Sequence, residues 1–338
     1  MKITTFFLKD SKTLFSLFLV IFLWSCKDKD KSQKAFIISG ETQGTTYTIK
    51  YFFDDEIITK AEIDSLFQVF DLSLSTYVPN SIVSKINRNE TTTLDPFFEE
   101  NYIISQKMYE LSNGFFDPTI GTLVDAYGFG PDKLKKINDP TEIKNYLKFI
   151  GLNQLKIENK KLIKTHPETL LDFNAIAQGY SVDVVVNFLR NKGIQNAMVE
   201  IGGEVYGFGQ NLDSKKPWTI GIEDPINSNE TNREIKEKVT LNKEGLATSG
   251  NYRKIKTDTL TGQKFVHIIH PKTGEATQTN ILSVTVISSS TAESDALATA
   301  LMLMPIADIK AFHAKYPTYK VLVIYQAEDQ SILTWKSF

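Results

Sequence analysis

Residues 170–189 carry the most informative pattern of apolar and polar positions in the chain. The segment begins apolar and becomes polar at Asp172 and Asn174. Apolar residues then recur every four positions, at Ile176, Tyr180, Val184 and Phe188. Such spacing predicts one buried face of a helix that continues through Leu189. We predict that Asp172 or Asn174 caps this helix by accepting a hydrogen bond from its free N–H groups.

A helix start of this kind also favours a bound anion, because the free N–H groups and the helix dipole both point towards it. The segment therefore places a carboxylate beside a potential phosphate site. An ordinary capped helix without a ligand is the alternative interpretation. The spacing alone favours that alternative, so a binding site here needs further support.

The rest of the chain mixes short strand and helix patterns. Strands are predicted at residues 35–39, 45–53, 197–201, 204–209, 218–222, 245–249, 265–269, 282–287, 320–325 and 332–335, with a small hairpin at 156–163. Helices are predicted at residues 61–70, 82–87 (capped by Ser81), 97–111, 292–304 and 306–316, and a polar loop at 225–237. Because strands and helices do not alternate as regular βαβ units, we predict an α+β fold rather than a doubly wound sheet.

A second informative pattern lies in the predicted helix 292–304. Asp295 and Thr299 are four residues apart, so both side chains project from one helix face. A carboxylate and a hydroxyl are hard oxygen ligands, which suit Mg²⁺. The alternative is that Asp295 faces water while Thr299 bonds to its own backbone, and spacing alone favours that alternative.

Two glycine-punctuated aromatic segments follow the predicted helix 97–111. They are residues 115–121, Phe-Phe-Asp-Pro-Thr-Ile-Gly, and residues 127–131, Tyr-Gly-Phe-Gly-Pro. These segments could line a pocket for a flat ring, or they could be tight turns with core aromatic residues. Their composition favours neither interpretation over the other.

Composition and charge narrow the class of protein. The chain has 338 residues, of which 41% are hydrophobic and 23% are charged, as expected for a globular protein with a sizeable core. The net charge of −2 gives no electrostatic reason to expect a nucleic-acid partner. With one cysteine and four histidines, the chain is poor in zinc ligands, so a zinc site is not expected.

The N-terminal residues have the pattern of an export signal. Leu14 to Trp24 is an apolar run of 11 residues, preceded by lysines, and it is too short to span a bilayer comfortably. It leads into Cys26, and the segment 23–26, Leu-Trp-Ser-Cys, resembles a bacterial lipobox. We therefore expect a lipoprotein signal peptide at 1–25, lipidation of Cys26, a charge-mixed tether at 26–34 and one domain at 35–338. An unlipidated signal peptide with a chance cysteine is the alternative.

Several short motifs together resemble the ApbE family of flavin transferases, and they occur in the order of that family over nearly all of residues 36–335. They are Gly44-Thr45-Thr46-Tyr47, Leu74-Ser75-Thr76-Tyr77, the segments 114–121 and 127–130, Asp172 through Asp183, Gly202-Gly203-Glu204, the segments 247–253 and 267–274, and the helix that carries Asp295 and Thr299. The resemblance implies an α+β fold related to the T-fold, with mixed sheets and packed helices in a single large catalytic domain.

The resemblance also implies roles for individual residues. Mg²⁺ would be held by the backbone carbonyl of Ala175 and by the side chains of Asp295 and Thr299. The general base would be His267. The FAD site would be lined by Gln43, Tyr77, Phe115, Phe116, Asp117, Asp172, Gln178 and Ile269. Two positions depart from the family pattern: Gln178 stands where lysine or glutamate is frequent, and His270 stands where aspartate is usual.

The implied activity is the Mg²⁺-dependent transfer of FMN from FAD to a threonine or serine hydroxyl of a target protein, with release of AMP. FAD is then a substrate. The expected partners are flavin-carrying subunits of membrane electron-transport complexes, and the expected location is the periplasmic side of a membrane in the bacterial cell envelope. Two other functions stay open: hydrolysis of FAD to FMN and AMP, and flavin binding without catalysis.

Overall fold

The computed structural model describes residues 33–131, 140–227, 234–250, 255–257, 264–266, 268–276 and 279–338. The expected signal peptide, the lipidation site Cys26, most of the tether and the expected base His267 lie outside these residues, so their predictions are not tested by the fold.

One large antiparallel sheet organises the described residues. Its eight strands run in the spatial order β1-β2-β5-β6-β9-β12-β13-β14, and three two-stranded hairpins, β3-β4, β7-β8 and β10-β11, are inserted between them. The strands are β1 (Lys34–Thr42), β2 (Thr45–Phe53), β3 (Leu155–Glu158), β4 (Lys161–Lys164), β5 (Asn196–Ile201), β6 (Glu204–Phe208), β7 (Trp218–Glu223), β8 (Ile235–Leu241), β9 (Glu244–Gly250), β10 (Ile255–Thr257), β11 (Lys264–Val266), β12 (Ile281–Ser288), β13 (Lys320–Gln326) and β14 (Ile332–Lys336). Every pair of these strands is antiparallel, so the sheets are not mixed in strand direction.

Eight helices occur among the described residues. They are α1 (Lys60–Leu74), α2 (Ile82–Asn87), α3 (Pro96–Leu111), α4 (Gly121–Ala126), α5 (Pro140–Leu147), α6 (Ala177–Asn191), α7 (Thr291–Leu301) and α8 (Ile306–Lys315). Of the helices in the described ranges, none combines the length and the apolar character that crossing a bilayer requires. The α+β prediction is confirmed.

The two faces of the sheet pack against different layers. In β13, Val321 and Val323 point into the core under the helices, while Leu322 and Ile324 join the cluster under the β7-β8 hairpin. This alternation follows from the two-residue period of a strand. Helices α6 and α7 therefore lie on one face of the sheet, with the hairpin on the other.

Local sequence signals place the helix 82–87 and its cap as predicted. Ser81 caps α2 by accepting a hydrogen bond from the backbone N–H of Ser84 at 3.1 Å. Strand β1 continues to Thr42, past the predicted end at residue 39, so its connection to β2 is only the two-residue turn of Gln43 and Gly44, with φ values of 52° and 72°. Such turns require positive φ at both central residues, which glycine adopts without cost.

The predicted cap of the central helix is wrong. Helix α6 begins at Ala177 after Ile176, and among the described residues no side chain caps it. The Asp172 carboxylate is used locally instead, because it accepts from the backbone N–H of Asn174 at 2.7 Å and from its side-chain amide at 3.1 Å. Asp172 thus closes a turn that ends before the helix starts.

Helix α6 also buries more of its surface than the single face that was predicted. Ile176 and Tyr180 are buried as expected, whereas Val184 and Phe188 are only partly buried. The helix instead buries Gly179, Ser181, Val182, Val185, Val186 and Leu189 as well. It lies between the sheet and helix α7, so it must bury two faces.

Other differences concern short elements. Among the described residues of the predicted strand 265–269, only 265 and 266 lie in a strand, β11, and the predicted polar loop 225–237 ends early because β8 begins at Ile235. Helices α4 and α5 were not predicted; at six and eight residues, both are too short to show a helical period.

Candidate functional site

Helices α6 and α7 cross in direct contact at Gly179. A Cβ atom on Gly179 would lie 2.4 Å from the carbonyl oxygen of Thr291 and 2.7 Å from Cβ of Asp295. Both distances are well below ordinary van der Waals contact, so only glycine allows this approach. The backbone N–H of Gly179 donates to Oδ2 of Asp295 at 3.0 Å. The crossing thus fixes the Asp295 carboxylate at the first turn of α6.

The charge at this crossing is unusual. Asp295 is only 7% exposed, and the pKa of its carboxyl is raised to about 7. Burial is the main cause, and the nearby charge of Asp183 also raises this pKa, while the hydrogen bond from Gly179 lowers it. Asp183 is held in turn by three donors at the start of α7: the hydroxyl of Ser290 at 2.7 Å and the backbone N–H groups of Thr291 and Ala292 at 2.9 and 3.0 Å. A bound cation would relieve the cost of ionising Asp295.

The groups around Asp295 fit a hard divalent cation. Thr299, one turn further along α7, has its hydroxyl 3.1 Å from that of Ser249 at the end of β9. Ala175 lies four residues before Gly179, just ahead of α6, and packs partly buried against the core. The described residues contain no group of three or more His, Cys, Asp or Glu side chains that could hold a metal. One carboxylate supplemented by neutral oxygens and substrate phosphates is nevertheless the usual protein environment of Mg²⁺.

A cluster of amides lies beside this crossing. The Gln178 side-chain amide donates to the carbonyl of Ile201 at 3.0 Å, in the turn that joins β5 to β6. Gly202 in that turn has no side chain to displace the amide: a Cβ there would lie 1.7 Å from Nε2 of Gln178. The Ser181 hydroxyl lies 3.4 Å from Oε1 of Gln43, in the β1-β2 turn.

Gln43 carries an unused donor. Its Nε2 atom is buried and has no hydrogen-bond partner among the described residues. A buried amide nitrogen without a hydrogen-bond partner destabilises the folded state, and such atoms in native proteins commonly bind a ligand or a water molecule. The predicted FAD contacts Gln43 and Gln178 are therefore brought together. Three segments meet here: the β1-β2 turn with Gln43, the start of α6 with Gln178 and Ser181, and the end of β5 with Ile201.

An aromatic surface lies at the other end of the segment 172–183. Tyr77 is 59% exposed, and its hydroxyl donates to the carbonyl of Phe129 at 3.3 Å. Burial of the hydroxyl, together with the charges of Asp172 and Asp125, raises the pKa of Tyr77, and Asn174 is near enough to bond to it. The charge of the predicted residue Asp172 therefore acts on the hydroxyl of the predicted residue Tyr77.

The segment 115–117 joins this region through the backbone. The N–H of Asp172 donates to the carbonyl of Pro118 at 2.7 Å. The Phe115 ring is partly buried and meets the His270 ring at 5.2 Å and Nζ of Lys272 at 4.5 Å. Ile269, predicted to line the FAD site, is buried next to His270. Phe115 and Ile269 are therefore brought close together through His270, and their contact with a flavin stays a prediction.

Two predicted FAD contacts have structural roles in the described residues. The Phe116 side chain is 3% exposed and packs in the main core. The Asp117 carboxylate is buried and accepts from the backbone N–H and the hydroxyl of Thr119 at 2.9 and 2.6 Å. Burial raises the pKa of Asp117 to about 6. Their contact with FAD stays a prediction.

Sequence reasoning missed three residues at this site. Gly179 permits the helix crossing, Ser181 holds Gln43, and Asp183 anchors the start of α7. Gly179 gave a signal, because an isolated glycine within a helical pattern commonly marks close packing. Ser181 and Asp183 gave none, because their partners are more than 100 residues away along the chain. The predicted base His267 lies outside the described residues.

Comparisons with known proteins identify the family of this chain. Residues 43–323 match the ApbE family. Curated relatives named FAD:protein FMN transferase include one from Haemophilus influenzae, 32% identical over 81% of this chain and 82% of the relative, and one from Vibrio cholerae, 36% identical over 79% and 80%. The solved structure of the flavin transferase ApbE from Vibrio cholerae has a TM-score of 0.78 and 32% identity, covering 90% of this chain and 97% of that one. The apo form of the Pseudomonas stutzeri flavinyl transferase ApbE has a TM-score of 0.78 and 28% identity, covering 90% and 95%. The chain, with its helix crossing, amide cluster and aromatic surface in one fold, belongs to the ApbE family.

Proposed function

We propose that this chain is a Mg²⁺-dependent enzyme that moves FMN from FAD onto a threonine or serine hydroxyl of an acceptor protein and releases AMP. The names of the curated relatives, FAD:protein FMN transferase, support the transferase activity. The observation that carries the proposal is the buried Asp295 carboxylate, which is held at the start of α6. The segment 172–183 that receives it also contains Asp172 and Gln178 and contacts Gln43 through Ser181.

In this proposal the residues at the helix crossing hold the cation. The Asp295 carboxylate, the Thr299 hydroxyl and the Ala175 carbonyl are its ligands, and the hydrogen bond from Gly179 keeps the carboxylate aimed at the start of α6. A bound Mg²⁺ supplies charge neutralisation at the FAD pyrophosphate. The start of α6 adds N–H groups that favour the same negative charge.

The aromatic surface binds the flavin. Tyr77 offers an exposed ring, Phe115 a partly buried one, and a flat apolar ring system stacks on such surfaces. Gln43 offers its free amide donor to a polar group of FAD. Binding sites of this kind combine apolar walls with a few placed polar groups.

The proposed transfer step needs a base. His267 takes the proton of the acceptor hydroxyl as that oxygen attacks the phosphorus on the FMN side of the pyrophosphate. The bond from this phosphorus to the bridging oxygen breaks, and AMP leaves with that oxygen. General-base assistance contributes about 10²–10⁴-fold in rate. Loss of His267 should therefore lower transfer strongly and leave FAD binding in place.

Product analysis tests the proposal. Purified protein is mixed with FAD, Mg²⁺ and a threonine-containing acceptor peptide, and the products are separated by mass. A covalent flavopeptide with an equal amount of AMP supports transfer. Free FMN with AMP supports hydrolysis of FAD instead, and bound but unchanged FAD supports flavin binding without catalysis.

The metal site has a matched pair of variants. Asp295→Ala should abolish the response to Mg²⁺ and the transfer, because it removes the only charged ligand of the proposed site. Asp308→Ala removes the same charge from an exposed position in α8 and should change neither. Retained Mg²⁺-dependent transfer in Asp295→Ala would show that the metal binds elsewhere.

We also propose that the chain is a lipoprotein of the bacterial cell envelope, anchored through Cys26 on the periplasmic side of a membrane. The support is the short apolar run before the single cysteine of the chain. An anchor there would bring the enzyme to flavin-carrying subunits of membrane electron-transport complexes, which are its proposed acceptors.

A further inference from the structure

His270 closes a turn through its imidazole ring. Its Nδ1 atom lies 3.1 Å from the backbone nitrogen of Lys272 and 3.4 Å from that of Thr273, and both nitrogens donate. The backbone completes the turn: the N–H of Gly274 donates to the carbonyl of His270, and the N–H of His270 donates to the carbonyl of Glu275, each at 2.8 Å.

These bonds fix the protonation state of the ring. A ring nitrogen accepts a hydrogen bond only through its lone pair, so Nδ1 carries no proton here. The ring is therefore neutral, with its proton on Nε2. An aspartate at this position would present a carboxylate oxygen that can accept the same bonds at any pH above its ordinary titration range. Histidine can do so only while it is neutral.

The charged groups near His270 favour the neutral ring overall. Burial lowers the pKa of His270, the positive charge of Lys272 lowers it further, and the negative charge of Glu275 opposes them. Protonation would place an N–H at Nδ1 against two backbone N–H groups. The turn would then lose both bonds.

The turn contacts the ring of Phe115, which the proposed function places in the FAD site. The Phe115 ring packs against the His270 ring with an interplanar angle of 60°, and Lys272 places its ammonium over the same Phe115 ring. At the other end, the carbonyl of Gly274 accepts from the hydroxyl of Tyr127 at 2.9 Å. A change in the turn would therefore move the residues around Phe115.

We propose that neutral His270 is a positioning residue of the flavin pocket, which makes the affinity of this chain for FAD fall at acidic pH, below the range in which an ordinary histidine titrates. This inference rests on the proposed function, since it takes Phe115 as a wall of the FAD site. It concerns a property of this chain, because an aspartate at the same position would not titrate in that range.

The test compares His270→Asn with wild type. Asparagine carries its amide oxygen at the same number of bonds from Cα as Nδ1 of histidine, and this oxygen accepts at every pH. FAD dissociation constants are measured by flavin fluorescence from pH 5 to pH 8 at saturating Mg²⁺. Two lost backbone hydrogen bonds predict a weakening of about five- to tenfold in wild type at low pH. His270→Asn should lack this change, and His270→Ala should bind weakly at every pH.

A second measurement does not depend on the flavin. Nitrogen-15 NMR of the histidine rings should show Nδ1 of His270 without a proton at pH 8 and with one at pH 5. A proton on Nδ1 at pH 8 would overturn the inference, as would equal pH profiles of FAD affinity in wild type and His270→Asn. A complete lack of FAD binding at every pH would instead overturn the proposed function and, with it, the role assigned to the turn.

Discussion

Gly179→Ala is the sharpest test of the site at the helix crossing. The substitution adds one methyl group to α6, at the point where the helix touches α7. That methyl would lie 2.4 Å from the carbonyl oxygen of Thr291 and 2.7 Å from Cβ of Asp295. Both contacts are with the backbone or the first side-chain atom of α7, so no flexible side-chain end can move aside.

The size of the effect follows from these distances. Ordinary carbon contacts lie at about 3.5–4.0 Å, so the two helices must separate by roughly 1 Å. Overpacking of this kind lowers the free energy of unfolding by about 1–3 kcal/mol. Alanine has a higher helix propensity than glycine, which offsets about 1 kcal/mol of this loss. The net loss of stability is therefore small. A shift of about 1 Å in a positioned group can cost on the order of 100-fold in rate.

The assay is FMN transfer to an acceptor peptide, measured together with thermal unfolding. Gly179→Ala should remain folded, with a transfer rate about 100-fold below wild type because Asp295 is displaced. Val185→Ala is the control: Val185 is fully buried in α6 under the sheet, away from α7, so its truncation lowers stability without moving Asp295. That variant should keep nearly full activity.

Two results would refute the reasoning. Full transfer activity in Gly179→Ala, with unchanged stability, would show that the crossing tolerates a side chain and does not position Asp295. Equal loss of activity in Gly179→Ala and Val185→Ala would show that activity follows stability and not the distance between the two helices.

Three further predictions concern separate parts of the chain. Tyr77→Ala should weaken FAD binding roughly tenfold, since removing the exposed ring costs about 1.4 kcal/mol. Tyr77→Phe should bind FAD normally, and both variants should keep their Mg²⁺ dependence. Equal dissociation constants of wild type and Tyr77→Ala in fluorescence titrations would remove Tyr77 from the site. Because burial raises the pKa of Asp117 from its ordinary 3.8 to about 6, the folded state favours the protonated carboxyl. This contribution to the free energy of unfolding is complete below about pH 4 and is lost as the pH rises to about 6, a decline on the order of 3 kcal/mol. In urea unfolding, the free energy of unfolding of Asp117→Asn should depend less on pH than that of wild type. An identical pH dependence of the two proteins would contradict this prediction. Cys26→Ser should release the chain from membranes, and unchanged partition between membrane and soluble fractions would refute the lipid anchor.

The sequence by itself determined the elements whose causes are local. The cap at Ser81 was predicted because it depends on neighbours within a few residues. The placement of Asp295 and Thr299 on one helix face followed from the helical period alone. The family resemblance added the roles of residues, which local patterns could not supply.

Only the tertiary structure decided which distant segments meet. Asp172 was expected to cap α6, but its carboxylate closes the turn before the helix, because the N–H of Asn174 is nearer than the helix start. Gly179 and Asp295 are 116 residues apart along the chain, and only the packing of α6 against α7 joins them. Helical periods and turn preferences act over a few residues, whereas a site built from several segments depends on how their surfaces pack.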